Sequence, residues 1–259
     1  MPTRQPSVAW RLCRLGVVES TNTLALHQAS DAASEGLVIT AEEQTAGRGR
    51  RGRTWSAPAG SSLLLSVILR PPPEQRQPVR LTILGAVSVC QAIHDVTRLR
   101  PQIKWPNDVL IDGKKVAGLL VELTPHAAVL GIGLNVNVPA SFFTAPHLAQ
   151  GSSLAAILGR EVARDELLTS LLRHLGQAYE RLCAGAAGEL EAQWRFHSGL
   201  LGHRAEVLTP SRRFTAEVLD LSFTSLTLRA DDGQTLLLPP EELLQLNLVN
   251  LTGPEPHLG

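Results

Sequence analysis

Aromatic residues are scarce in this 259-residue chain, at 4% with a single tyrosine. That argues against a base-stacking platform for single-stranded nucleic acid, which needs several presented rings. An excess of one charge is also missing, since 24 basic residues meet 24 acidic ones. General affinity for nucleic acid or for an anionic membrane surface would need a basic surplus. The three cysteines, Cys13, Cys90 and Cys183, are odd in number, far apart and form no CxxC pair. This speaks against a disulfide framework or a zinc site and fits a reducing cytoplasm. Residues 1–16 scatter arginines among apolar residues without an uninterrupted apolar core, so they do not read as a secretory leader. The longest apolar stretch, 116–138, is interrupted by Glu122, Pro125, His126 and two asparagines. It reads as two strands, not a membrane span. The eight histidines show no metal-ligand spacing, and no metal ligand set is expected.

What the chain does have is concentrated. Gly47-Arg48-Gly49-Arg50-Arg51-Gly52-Arg53 packs four arginines and three glycines into seven residues. Glycine frees the backbone while the like charges repel, so order is expected only when an anion neutralises the segment. Arginine offers a planar fork of donors to phosphate or carboxylate, and its charge does not titrate away. No Gly-Lys-Ser/Thr follows, so this is not a Walker A loop. Taken alone it remains open between a ligand-binding loop, a localisation-type patch, an RNA-binding Arg/Gly segment and a solvated surface loop.

A second cluster is Lys104-Trp105-Pro106-Asn107-Asp108, followed by Gly113-Lys114-Lys115-Val116-Ala117-Gly118. Pro106 fixes its own φ and extends Trp105, which stiffens the presentation of Lys104 and Asn107. The small Ala117-Gly118 step leaves room for a ligand beside Lys115. The competing reading is a hairpin with exposed charges.

Periodicity and turn residues supply the frame. Ser20-Thr21-Asn22 caps a helix to about Gln28, and a β-rich run covers 36–42. An apolar strand spans Leu63–Leu69 and stops at Pro71-Pro72-Pro73. A helix is expected from Val79 to about Arg98, then three strand-like pieces between Ile103 and Val138 with Asp112-Gly113 as a hairpin turn. Helices follow at 164–182 and 189–197. Beyond residue 200, short β-rich runs at 204–208, 214–221, 226–229, 235–238 and 243–249 alternate with turns, as in a small barrel.

The order of the motifs decides between the open readings. Glu19-Ser20-Thr21-Asn22, the segment Gln44 to Trp55, Lys104 to Asp108, Lys115 to Gly118 with Glu122, and Gly131-Ile132-Gly133-Leu134-Asn135 follow one another. This series strongly resembles the biotin protein ligases, from about residue 15 to 138. The resemblance implies an α+β protein: a mixed sheet backed by helices, of the class II synthetase-like biotin/lipoate ligase fold, with a small C-terminal SH3-like β-barrel. It implies a catalytic domain over 1–200 and the small domain over 201–259. It further implies that biotin and ATP, with Mg2+, give biotinyl-5′-AMP, and that a lysine of a biotin carboxyl carrier domain then accepts the biotin.

Residue by residue, the resemblance puts Ser20, Thr21, Asn22, Gln44, Gly118 and Gly131 around biotin. Gly47, Arg48, Gly49, Arg50 and Arg51 close over biotin and the adenylate, and Lys115 meets the biotin carboxylate and then the adenylate linkage. Arg50, Arg53, Trp55, Lys104, Asn107 and Asn135 fall on the nucleotide side. Lys115, Arg50, Lys104 and Asp108 form the catalytic set. Plainer roles stand beside these: Ser20 and Asn22 as helix caps, Asn135 as a strand-end residue, Gln44 as an exposed amide, Trp55 and Trp105 as packing walls, Cys90 as buried and inert. Ser20 lies close to the first residue, so a monofunctional ligase without operator binding is expected. Exposed strand edges could support a homodimer, as the family commonly uses, without fixing the oligomeric state. The rivals are a lipoate ligase or octanoyltransferase of the same fold, which the Arg/Gly loop disfavours, and a non-catalytic binding regulator, which Lys115 disfavours.

Overall fold

The computed structural model describes residues 8–249. Residues 1–7, within the stretch read as lacking a leader, and 250–259, the end of the small domain, lie outside the described residues. The first body of the chain contributes β1 (Arg11–Val18), β2 (Leu37–Gln44), β3 (Ser62–Leu69), β4 (Gln102–Lys104), β5 (Asp108–Ile111), β6 (Lys114–Leu123) and β7 (Ala128–Asn135). They form one sheet in the order β1-β2-β3-β7-β6-β5-β4. Only β1 and β2 pair in parallel, so the sheet is mixed.

Every residue of β3 is buried, because both faces of the sheet are covered there. A strand so placed reads as a continuous apolar run rather than an alternation. On one face Leu63, Leu65, Val67 and Leu69 join a core built with helices α2 (Pro78–Thr97) and α4 (Arg164–Cys183). On the other, Ile68, Ile39 and Val129 pack with Ala25 of helix α1 (Thr21–Gln28). Eight residues are too few to hold a helix alone. Tertiary packing and the Ser20 cap, whose Oγ accepts the Thr23 amide at 3.4 Å, keep α1 in place.

By length and composition α2 is apolar enough to cross a bilayer, yet it is a core helix, with 61% of its most apolar window buried. Gly85 lets it settle onto the sheet: a Cβ there would stand 2.6 Å from Leu119 and 3.1 Å from Leu130.

Between 102 and 135 four strands form where three were expected. Lys104 pairs with Asp108 across a tight turn, which splits one expected strand into β4 and β5. The Asp112-Gly113 turn joins β5 to β6, with φ of 48° and 74° at its two residues, the positive values a two-residue hairpin requires. Strand β1 and the short helix α3 (Leu154–Leu158) have no counterpart in the sequence reading.

Helix α5 (Gly188–Ser198) leads into β8 (Arg204–Leu208), β9 (Arg213–Leu221), β10 (Leu226–Arg229), β11 (Thr235–Leu238) and β12 (Gln245–Leu248). These make an antiparallel, barrel-like sheet in the order β11-β10-β9-β8-β12. The apolar core does not stop between the two sheets. Trp194 of α5 lies 5.8 Å from Trp105 and 6.3 Å from Phe223, centroid to centroid. The Trp105 indole N–H also donates to the Leu243 carbonyl at 3.2 Å. The small module therefore braces the turn that carries Lys104, Asn107 and Asp108.

Candidate active site

One cavity of about 310 Å³ gathers most of the residues singled out from sequence. Its two ends differ in chemistry. At one end the start of α1 presents Ser20, Thr21 and Asn22, all buried although polar. Gln44, at the end of β2, accepts from the Thr21 amide at 2.7 Å and from Thr21 Oγ1 at 3.0 Å. Its carbonyl oxygen is thus committed, and its NH2 is the end left for a ligand. Beneath them Ser66 Oγ lies 2.7 Å from Thr21 Oγ1 and 2.5 Å from Asn22 Oδ1. Asn22 Nδ2 donates to Glu122 Oε2 at 2.8 Å. The groups that face the cavity at this end are uncharged and joined in one hydrogen-bonded network.

Glycines clear the floor. Gly118 of β6 pairs with Gly133 of β7, and the Trp55 ring lies across both: a Cβ on Gly118 would be 2.8 Å from that ring. A Cβ on Gly131 would run into the Asn22 carboxamide.

The other end is cationic. Arg50, Arg51, Arg53, Lys104 and Lys115 line it, against Asp108 as the carboxylate among the described lining residues, while Arg48 also lines the cavity but pairs with Glu122. In a chain of zero net charge this is a strong local imbalance. The arginine loop is held by its own backbone: Gly49 N donates to Arg53 O at 2.7 Å and Trp55 N to Gly47 O at 2.9 Å. Arg51 takes the left-handed conformation, φ 55° and ψ 40°, which costs a non-glycine residue energy and is tolerated where function asks for it. Arg50 reaches Asn107 Oδ1 at 3.4 Å, and Asn107 is itself fixed by donating to the Leu119 carbonyl at 2.8 Å. Burial, and then the charge of Arg51, push the Arg50 pKa down, with Asp108 acting the other way. An arginine stays charged regardless.

Lys115 reaches the cavity through an irregularity. Val109 pairs with Ala117 but Leu110 pairs with Lys115, so Val116 is an extra residue in β6. Such a bulge re-aims side chains. Here it buries Val116 in the core and turns Lys115 to the Gly118 side, with Lys115 Cε 3.1 Å from where a Gly118 Cβ would sit. The segment 150–152 pins the bulge: Lys115 N donates to Gln150 O at 2.7 Å and Ser152 N to Lys115 O at 2.9 Å. Lys115 Nζ then pairs with Asp108 Oδ1 at 2.6 Å, 5.6 Å from the Trp55 ring centroid.

Two residues assigned from sequence do not line this cavity. Gly47 packs under the Trp55 carbonyl on the outer side of the loop. Asn135 gives its amide to the Ser152 carbonyl at 3.0 Å, supporting the segment that pins Lys115. Conversely, Ser66 from the core strand and Leu244, Gln245 and Asn247 from the small module belong to the site without having been foreseen. Ser66 had a signal, a lone hydroxyl within Leu63–Leu69. The small module's residues had none.

Known proteins place this geometry. The Biotin/lipoate A/B protein ligase family matches residues 15–138. Biotin--[acetyl-CoA-carboxylase] ligase of Mycobacterium tuberculosis is 35% identical over 215 residues, covering 78% of this chain and 76% of that one. The chain belongs to the biotin protein ligase family. A second relative, the bifunctional ligase/repressor BirA of Bacillus subtilis, is 32% identical over 232 residues, 87% of this chain and 68% of the relative. Among solved structures, a biotin protein ligase from Aquifex aeolicus in complex with biotin and ATP superposes with a TM-score of 0.79 at 26% identity, covering 92% and 99% of the two chains. With 92% of the chain covered, that superposition extends into the small module as well.

Proposed function

We propose that the protein activates biotin with ATP and passes it to a lysine of a carboxylase's biotin carboxyl carrier domain. The observation that carries the reading is the two-ended cavity. Its neutral end, built from Ser20, Thr21, Asn22 and Gln44, suits the ureido ring, which both donates and accepts hydrogen bonds. An octanoyl chain or a dithiolane ring would leave the Gln44 NH2 without a partner, the kind of discrimination that polar sites achieve best. The cationic end suits a carboxylate brought against a triphosphate.

In the adenylation step a biotin carboxylate oxygen bonds to the α-phosphorus and pyrophosphate leaves. Mutual repulsion of the anions is the obstacle, and Arg50, Lys104 and Lys115 are cations fixed in advance to offset it. In the transfer step the lysine amine attacks the biotinyl carbonyl carbon, AMP departs with the acyl C–O electrons, and the amine loses a proton. Asp108, beside Lys115, is the carboxylate in the cavity lining that would take that proton. No cluster of three or more metal-ligating side chains occurs among the described residues. Magnesium would therefore be held mainly by the nucleotide's phosphates, with Asp108 the carboxylate among the described lining residues, and would neutralise phosphate charge. Three free cysteines and ATP dependence suit the cytoplasm. For a homodimer, outer strand β1 offers an edge without a strand partner among the described residues, with Leu12 and Val17 exposed.

Exchange of labelled pyrophosphate into ATP tests the reading. Biotin should promote exchange, and lipoate or octanoate should not. Exchange with lipoate or octanoate alone would overturn it, and silence with all three acids would indicate a binding protein. Within this reading the arginine loop is a lid that shields the anhydride from water. Arg50→Gly should release preformed biotinyl-adenylate faster, by about tenfold, with the unfolding midpoint little changed, since the side chain gives up only a long contact to Asn107 Oδ1 at 3.4 Å. An adenylate half-life equal to wild type would remove Arg50 from the lid.

A further inference from the structure

We propose that Glu122 is a positioning residue that latches the arginine loop to the neutral end of the cavity. One oxygen of this carboxylate, Oε2, takes both donors: Asn22 Nδ2 at 2.8 Å and the Arg48 guanidinium at 2.5 Å. Asn22 belongs to the first turn of α1, and Arg48 is the first arginine of the loop. Glu122 does not line the cavity; it borders the outer side of the loop and acts only through the two residues it holds.

Its position on β6 explains how. Gly118, Leu120 and Glu122 lie on one face of the strand at every second residue, so the carboxylate comes up between α1 and the loop. A free carboxylate there would repel an anionic ligand. This one is neutralised by Arg48 and sits at the end of the cavity where the ligand carries no charge. The two bonds also decide how Asn22 is turned. With Nδ2 committed to Glu122 and Oδ1 to Ser66, the carboxamide has a single orientation. Opening the loop takes Arg48 away and leaves Glu122 with an uncompensated charge beside Asn22. Order in the pocket and closure of the loop therefore favour each other, and linkage makes that coupling reciprocal.

The inference rests on the biotin-activating reading above, so wild-type exchange with biotin is measured alongside. Glu122→Gln keeps the shape and one acceptor oxygen but removes the charge. Hydrogen bonds to charged groups predict a biotin KM raised about tenfold and preformed adenylate lost about tenfold faster, with the ATP KM changed by less than about twofold. Arg48→Met should act in the same direction, and the double variant should be no worse than the poorer single one. Unchanged biotin KM and adenylate lifetime in Glu122→Gln, strictly additive losses, or an equal rise in the ATP KM would each overturn the latch. If wild type itself fails to exchange with biotin, the functional reading falls; if it exchanges and Glu122→Gln is indifferent, only the latch falls.

Discussion

Lys115→Ala is expected to cut the rate of biotinyl-adenylate formation by at least about 10²-fold, the scale on which one preorganised charge acts at a developing anion. The side chain is aimed by the Val116 bulge, held by the 150–152 segment through two backbone bonds, and kept in reach by Asp108. Removing it deletes a cation and also frees Asp108, so the reaction centre gains an unpaired negative charge where two anions must meet. Stability should hardly change. Both partners of the pair are partly solvated, at 31% and 24% side-chain exposure, and such pairs contribute about 1 kcal/mol or less. Single-turnover formation of the adenylate at saturating biotin and ATP is the measurement, with the thermal midpoint as control. Lys114→Ala, one residue earlier, gives up an exposed contact to the Ala149 carbonyl and should leave adenylation intact. If Lys115→Ala adenylates at near wild-type rate, electrostatic stabilisation by this lysine is not part of the mechanism.

How much of this was legible in the sequence follows from the range of the interactions involved. The caps and hairpins are local, so α1, the 112–113 turn and the five short strands of the small module could be read from neighbouring residues. The arginine loop and the turn at 104–108 were visible because each packs its chemistry into one short segment. Strand β1 was not visible. It lies at a sheet edge with Leu12 and Val17 exposed, which blurs the alternation that would announce a half-buried strand. The aim of Lys115 was hidden too, since a strict two-residue alternation would have turned it into the core; only pairing with β5 reveals the extra residue. Ser66, Glu122 and Asn22 are 44 and 100 residues apart along the chain in their respective bonds, and no local pattern links them. Gln245 and Asn247 reach the cavity because α5 and the Trp105–Trp194–Phe223 stack fold the small module against it.

The network around Asn22 leads to the second large effect, at Gly131. This residue faces Ser66 across β3 and β7, and Leu120 across β6 and β7. Its missing side chain is the space that the Asn22 carboxamide fills. Gly131→Ala would push a methyl group into that carboxamide. Asn22 cannot step aside without breaking its bonds to Ser66 and Glu122, so the strain of about 1–3 kcal/mol falls on the biotin end of the cavity. With misplaced hydrogen bonds added, biotin affinity should drop by roughly 10²-fold while ATP binding alone is little affected. Calorimetric titration with each ligand reads the two separately. Gly16→Ala, where an added Cβ meets nothing within 4 Å, makes the same chemical change on β1 and should bind biotin as wild type does. Combining Asn22→Ala with Gly131→Ala sharpens the test, because it restores the space but not the hydrogen bonds. Stability should then recover and biotin affinity should not. Recovery of both would mean that Asn22 is a spacer rather than a polar contact, and unchanged biotin affinity in Gly131→Ala would mean that the neutral end of the cavity is not where biotin binds.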